Sequence, residues 1–169
     1  IVNALNTIFI DNKYADKVIE KTLKENPKFG SRDRRFIAET TYDIVRWYRL
    51  FKEISDAGDE DFWKLLGVWC LWNNTEFPDW EEFEGLNRKK IEAGYEAAQA
   101  DRKVRESIPD WLDELGTHEL GEDWDKELTA LNEEAKVVLR VNTLKTSRKE
   151  LQEQLDAEEI ATEAPPQYP

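Results

Sequence analysis

The chain has 169 residues, 36% of them charged and 40% hydrophobic, and a formal net charge of −13 at pH 7. This length allows one domain, or one domain and the start of another, with a buried core. The acidity argues against indiscriminate binding to nucleic acid, so any such contact must be local. No segment reaches the ~18 to 20 consecutive apolar residues that a membrane helix needs. One cysteine excludes an internal disulfide and, with one histidine, a zinc site of the usual kind. We expect a cytoplasmic protein and, since Met is absent even at position 1, an N-terminus that is not the translation start.

Three helices are predicted in the first third of the chain. Apolar residues recur at helical spacing in 1–11 and 14–26, and Pro27 and Gly30 end the second helix. The longest predicted helix runs from Ser31, as N-cap, to about Lys52. Its inward stripe is Ile37, Thr41, Ile44, Tyr48 and Phe51. It also carries a group of basic residues: Arg32, Arg34, Arg35, Arg46, Arg49 and Lys52. We favour a structural role for this group, since acidic residues lie within ion-pairing reach: Asp33, Glu39 and Asp43.

The stretch 62–72 is apolar or glycine at every position except Lys64, which predicts the central core helix. Cys70 lies among tryptophans and leucines in this helix, so we do not expect it to be catalytic. The stretch 76–84 is acidic and aromatic and is broken by Pro78. We interpret it as a connector, with exposed Trp80 and Phe83, that docks on the helical core or on another protein.

Helical spacing resumes at Asn87, with Ile91, Tyr95 and Ala98 on one side. A further helix is predicted to start at Ser107 and to stop at Gly116, with His118 in the following turn. Its inward residues are Trp111, Leu112 and Leu115. The next helix, about 122–132, places Trp124, Leu128 and Leu131 on its inner side. Residues 1–133 are therefore predicted to form an all-α domain.

From Lys136 the pattern changes to that of a strand, a helix and a second short strand at 160–163. Ser147 and Glu150 form a capping box that predicts the helix start. The basic segment, Lys136 to Lys149, holds five basic residues and no acidic one, so its charge is +5 and the rest of the chain sums to −18. Contact with a phosphate backbone is one explanation, and protection of a strand edge by solvated charges is the other.

Several motifs resemble a known family. Ser107–Ile160 contains Ile-Pro-Asp-Trp-Leu (108–112), Ala-Leu-Asn-Glu-Glu-Ala (130–135), Leu-Arg-Val-Asn-Thr-Leu-Lys (139–145) and Ser-Arg-Lys-Glu-Leu (147–151). This run resembles the segment before the catalytic domain of ribosomal-RNA cytosine-C5 methyltransferases of the Fmu/Sun family. Ser-Arg-Asp-Arg-Arg-Phe-Ile-Ala-Glu (31–39), with Tyr42 and Arg46, resembles the NusB-like helical domain of the same family. The resemblance implies a mainly α fold, with a NusB-like helical bundle at 1–133 and the start of a small α/β (strand–helix–strand) RNA-facing domain at 134–169.

The resemblance also implies a function in ribosomal-RNA processing. We expect an N-terminal, RNA-binding fragment that positions substrate for an S-adenosylmethionine-dependent methyltransferase. Its partners would be ribosomal RNA and a catalytic domain of the same protein, with no membrane or DNA involved. The expected RNA contacts are Arg140, Asn142, Lys145, Arg148 and Lys149. Asn142 could equally close a turn, and Arg140 could pair with acidic helices.

No catalytic, metal or cofactor residue is expected in this chain. It has no glycine-rich turn after a strand and no Pro-Cys motif of the kind that holds the family's nucleophile. S-adenosylmethionine is therefore expected only for the parent enzyme, and the chain alone should be inactive. The alternative is a stand-alone NusB-like module that binds RNA or protein.

Overall fold

The computed structural model describes residues 1–76, 78–133 and 136–164. These residues are mainly α-helical, which confirms the mainly α part of the predicted fold class, and none of them is in a β-strand. The predicted α/β (strand–helix–strand) unit is not confirmed. The chain divides into two compact units, Ile1–Leu128 (unit 1) and Thr129–Pro169 (unit 2). The division falls within a helix, Trp124–Asn132. The assignment of 1–133 to a NusB-like domain and of 134–169 to a second domain stays a prediction.

The first four helices show where apolar spacing locates a helix and where it misses a break. Helix α1 is Val2–Phe9 and α2 is Ala15–Glu25, close to the predicted ranges. The long helix predicted from Ser31 is two helices, α3 (Ser31–Arg46) and α4 (Tyr48–Ser55). Trp47, at φ −100° and ψ 20°, leaves the helical conformation between them. Gly30, not Ser31, is the N-cap of α3, and its N–H donates to the Asp33 carboxylate at 3.2 Å.

Helix α5, Phe62–Trp72, has the predicted bounds and lies in the main hydrophobic core of unit 1. Its N-cap is Asp61, whose side chain accepts a hydrogen bond from the Lys64 N–H. Val68 is fully buried and Phe62 is 1% exposed. Cys70 is also buried, and burial raises the pKa of its thiol. A buried thiol with a raised pKa is a poor nucleophile, consistent with a packing role.

The acidic connector ends in a 3-10 turn, Glu81–Phe83, before helix α6, Arg88–Ala98. Phe83 is only 6% exposed and makes an edge contact with Trp63, with ring centroids 5.7 Å apart. The prediction that Phe83 is exposed was therefore wrong, because this ring docks on the core. Trp80 remains half exposed. Asn87 caps α6, and the short helix α7, Arg102–Arg105, follows.

The region after α7 corrects several predictions. Helix α8 is Asp110–Leu120, a 3-10 turn covers Gly121–Asp123, and α9 is Trp124–Asn132. Gly116 does not end α8, because the chain leaves the helix at Gly121, which has φ 54°. Gly116 is buried inside α8, and His118 lies in that helix rather than in a turn. Three predicted inward residues are instead exposed: Trp111 by 64%, Leu115 by 50% and Leu131 by 68%.

A partly buried polar network joins α7, α8 and α9. The Arg102 guanidinium donates to both carboxylate oxygens of Asp113, at 2.7 and 3.1 Å. The Trp124 indole N–H donates to the same carboxylate at 3.0 Å. Trp124 then packs with Ile108 and Leu128 in a separate small core. The hydrogen bond to Asp113 and the packing with Ile108 and Leu128 together hold the indole of α9 against α8.

Unit 2 contains one helix besides the end of α9 in its described part. Helix α10 is Arg148–Ala157, with Ser147 as N-cap. Residues 136–142 and 160–163 were predicted as strands, and the structure assigns no strand to them. A strand is defined by pairing with a neighbour, and the described residues provide no paired neighbour. Within the same described ranges, no helix is long and apolar enough to cross a membrane.

Candidate nucleic-acid interface

The basic segment is organised around a turn at Asn142. Its backbone carbonyl accepts hydrogen bonds from the N–H groups of Lys145, at 2.9 Å, and Thr146, at 3.2 Å. Its side-chain Oδ1 accepts from the Leu144 N–H at 3.1 Å. This is the turn-closing role that the sequence left open for Asn142. The turn uses Oδ1 and leaves the side-chain NH2 group outside these bonds.

The start of α10 is fixed by a complete capping box, as predicted. The Ser147 hydroxyl accepts from the Glu150 N–H at 3.2 Å, and the Glu150 carboxylate accepts from the Ser147 N–H at 2.9 Å. The Thr146 hydroxyl also donates to that carboxylate, at 3.0 Å. These hydrogen bonds, with the Ser147 N–H first, lower the pKa of Glu150. Because Ser147 and Glu150 occupy the helix end, an approaching phosphate would meet side chains instead.

The candidate contacts occupy three places along this scaffold. Arg140 precedes the turn, Lys145 lies in it, and Arg148 and Lys149 are the first two residues of α10; all four are exposed. Lys149 approaches Glu153 at 3.7 Å, but both side chains are largely exposed, so this pair contributes little. In the described part of the chain, Arg140 and Lys145 make no side-chain hydrogen bond or ion pair. The positive charge of the segment is therefore directed largely to solvent.

The basic segment also exposes apolar side chains between its charges. Val137 is 90% exposed, Val138 83%, and Leu144 96%. Lys136 is also exposed, although it was not among the predicted RNA contacts. The hydrogen bond from Thr146 to Glu150 was also not predicted from the sequence. Only the position of Thr146, just before the N-cap Ser147, could have indicated it.

Arg46 of α3 and Arg49 of α4 differ from the arginines of the basic segment, because they bond to residues about sixty positions away in unit 1. Arg46 donates to the backbone carbonyls of Glu106 and Ser107, at 3.0 and 3.3 Å. Arg49 donates to the Ile108 carbonyl at 2.8 Å and to Asp110 at 2.7 Å. Burial lowers the pKa of Arg46, and this effect outweighs the opposite effect of Glu106. The structural interpretation of this basic group agrees with these contacts.

Three further members of that group make local contacts. Arg34 donates to the Leu23 carbonyl at 2.9 Å. Arg35 pairs with Glu39 at 2.7 Å one turn along α3, as predicted. Lys52 pairs with Asp59. Asp43, which the sequence offered as an ion-pair partner, accepts a hydrogen bond from the Trp69 indole at 3.0 Å.

The comparison with protein families identifies the region that contains the basic segment. Residues 108–169 match the family model described as the RsmF/B-like methyltransferase, ferredoxin-like domain. The match spans α8, α9, the whole basic segment and α10. No curated protein and no solved structure matches the chain. The resemblance to a methyltransferase family is thus confirmed for residues 108–169, at the level of an RsmF/B-like domain. The NusB-like character of the preceding helices stays a prediction.

Proposed function

We propose that the chain is the N-terminal, substrate-positioning part of an S-adenosylmethionine-dependent ribosomal-RNA cytosine-C5 methyltransferase. In this proposal the basic segment contacts RNA, and the protein acts in the cytoplasm without a membrane or DNA partner. The observation that carries the proposal is the match of 108–169 to an RsmF/B-like methyltransferase domain, since the match includes the whole basic segment.

The arrangement of charges supports a local RNA contact. The segment carries +5 and the remainder of the chain −18, so phosphates are attracted to the segment and repelled elsewhere. Arg140, Lys145, Arg148 and Lys149 are the proposed phosphate contacts. The turn and the capping box fix the backbone that carries the last three of them, which reduces the conformational entropy lost on binding. The Asn142 NH2 group is a donor for a sugar or base edge.

The residues present do not fit S-adenosylmethionine or the methyl-transfer chemistry. The seven glycines are scattered singly rather than gathered in a phosphate-binding or nucleotide-binding turn. Cys70 is buried in α5, and its thiol has a raised pKa. Among the described residues, no group of three or more His, Cys, Asp and Glu side chains could hold a metal ion. We place the cofactor and the catalytic cysteine in a separate catalytic domain of the parent enzyme.

A salt titration of RNA binding tests the proposal. The chain is compared with a variant in which Arg140, Lys145, Arg148 and Lys149 are all changed to Ala, using a structured ribosomal-RNA fragment. Each phosphate contact contributes roughly 0.7 to 0.9 to the slope of log K against log salt, so the four changes should reduce the slope by roughly 2.8 to 3.6 when all four residues contact phosphates.

A matched control removes the same charge from unit 1, by changing Lys13, Lys28, Lys89 and Lys90 to Ala. These four lysines are exposed, and the variant has the same net charge as the test variant. The control should keep most of the wild-type salt slope. Equal losses in both variants would show a general charge effect, and no binding at low salt would reject RNA contact by this chain.

A further inference from the structure

Unit 1 has a surface cleft where the C-terminal end of α5 meets α6, and the RNA proposal gives it no role. It has a volume of about 270 Å³. Trp72 contributes one wall, and Ile91 and Tyr95 contribute from α6. Three charged residues of α6 also line it: Arg88, Glu92 and Glu96. The cleft lies outside the region that matches the family model.

The aromatic wall is exposed but firmly held. The rings of Trp72 and Tyr95 meet edge to face, with centroids 4.7 Å apart and an interplanar angle of 79°. Phe51, which is buried, lies against Trp72 with ring centroids 6.0 Å apart. Trp72 nevertheless stays 43% exposed. An indole that is anchored on one side and open on the other offers an apolar, electron-rich surface to a ligand.

The charges around the wall select for a cation. Glu92 and Glu96 are one helical turn apart, so their carboxylates share a side of α6. The cleft continues past Leu71 and Asn74 to Glu76. Of the described lining residues, Arg88 alone is basic, against these three carboxylates.

We propose that this cleft binds an arginine side chain presented by a basic segment of a partner protein. The guanidinium stacks on the Trp72 indole and donates to Glu92 and Glu96, a geometry that suits its flat, multiple-donor head. Arg88 donates to a backbone carbonyl of the same extended peptide. An RNA strand would instead bring its phosphates toward carboxylates, which disfavours it here.

Peptide binding to the whole 169-residue chain tests this inference. The probe is a fluorescein-labelled peptide that alternates arginine and glycine, and its control replaces arginine by citrulline, which keeps the shape and loses the charge. Fluorescence anisotropy gives the affinity, and quenching of tryptophan emission that is lost in a Trp72→Leu variant reports contact with the aromatic wall. The arginine peptide should bind, and the citrulline peptide should bind at least about tenfold more weakly.

Two double variants separate the cleft from general acidity. Glu92→Gln with Glu96→Gln should weaken arginine-peptide binding about tenfold or more, since both head-group partners become neutral. Asp16→Asn with Glu20→Gln removes the same charge from exposed positions on α2 and should change the affinity at most about twofold. All four side chains are exposed, so the far-UV circular dichroism of both variants should match that of the wild type.

The inference is independent of the RNA proposal, and either can fail alone. It is overturned if the arginine peptide does not bind, if citrulline binds equally well, or if both double variants lose affinity equally. It is also overturned if an RNA oligonucleotide, and not the peptide, quenches the tryptophan emission in a way that depends on Arg88.

Discussion

Replacing Gly116 by alanine should destabilise unit 1, although alanine is the better helix former. Gly116 is inside α8, where a glycine-to-alanine change normally gains about 1 kcal/mol. A Cβ at this position would lie 2.3, 2.4 and 2.5 Å from three carbon atoms of the Trp124 indole. Favourable carbon–carbon contacts are at about 3.5 to 4.0 Å, so the overlap exceeds 1 Å.

The indole cannot move aside easily. It is 4% exposed, and its N–H is bonded to Asp113. Forcing an extra carbon into a packed site costs about 1 to 3 kcal/mol, and a wall this rigid places the cost in the upper part of that range. Subtracting the gain in helix propensity leaves a net loss of about 1 to 2 kcal/mol in the free energy of unfolding.

Urea denaturation followed by far-UV circular dichroism measures this loss. The same substitution in a Trp124→Leu background supplies the control, because the atoms that clash are then absent. In that background Gly116→Ala should be neutral or stabilising, whatever Trp124→Leu itself costs. A stabilisation of about 1 kcal/mol in the wild-type background, or an identical effect in both backgrounds, would refute the packing of Trp124 on Gly116.

Three further outcomes follow from the contacts described above. Asp113→Ala should cost about 1 to 3 kcal/mol of unfolding free energy, because Arg102 and the Trp124 indole both lose an acceptor. The hydrogen bond from Arg102 is the main cause that lowers the pKa of Asp113. The contribution of Asp113 to the free energy of unfolding should therefore be complete above the usual pKa of an aspartate and should decline as the pH falls toward the lowered pKa. Denaturation of the wild type and the variant at several acidic pH values should show the difference in unfolding free energy between them shrinking. Ser147→Ala should lower the stability of α10 by about 1 kcal/mol, because the helix loses its N-cap hydrogen bond. Amide exchange in α10 should then be faster, and unchanged exchange would reject the capping box. Cys70 should react with a thiol reagent only after denaturation, so rapid labelling of the native chain would contradict its burial.

Local signals in the sequence were sufficient for some elements. The apolar run 62–72 gave the bounds of α5, because a helix that is apolar on nearly all sides can only lie in a core. Ser147 and Glu150 gave the start of α10, because a capping box involves only neighbours in the chain. The sequence also predicted that the arginines of α3 and α4 have a structural role, because acidic residues lie close to them in the chain. Their main partners were not predicted, since the carbonyls of 106–108 are about sixty residues away from them.

Other elements depended on contacts that no local pattern contains. Gly116 and Gly121 are both credible helix ends, and only the Trp124 indole explains why Gly116 is internal. The stripe from Ile37 to Phe51 keeps helical spacing through the break at Trp47, so periodicity alone could not reveal it. The strand predicted at Val137 and Val138 is not confirmed, because a strand needs a partner strand and the described residues contain none. β-branched residues favour the extended conformation but do not supply that partner.

In the function proposed above, the basic segment makes the RNA contact. An NMR titration of the isotopically labelled chain with a structured ribosomal-RNA fragment tests it most directly, because each backbone amide reports separately. The largest shift changes are expected between Lys136 and Lys149, led by the turn at Asn142 to Lys145 and the start of α10, with little change in α3 and α4. Changes concentrated in unit 1, with the basic segment unaffected, would contradict it.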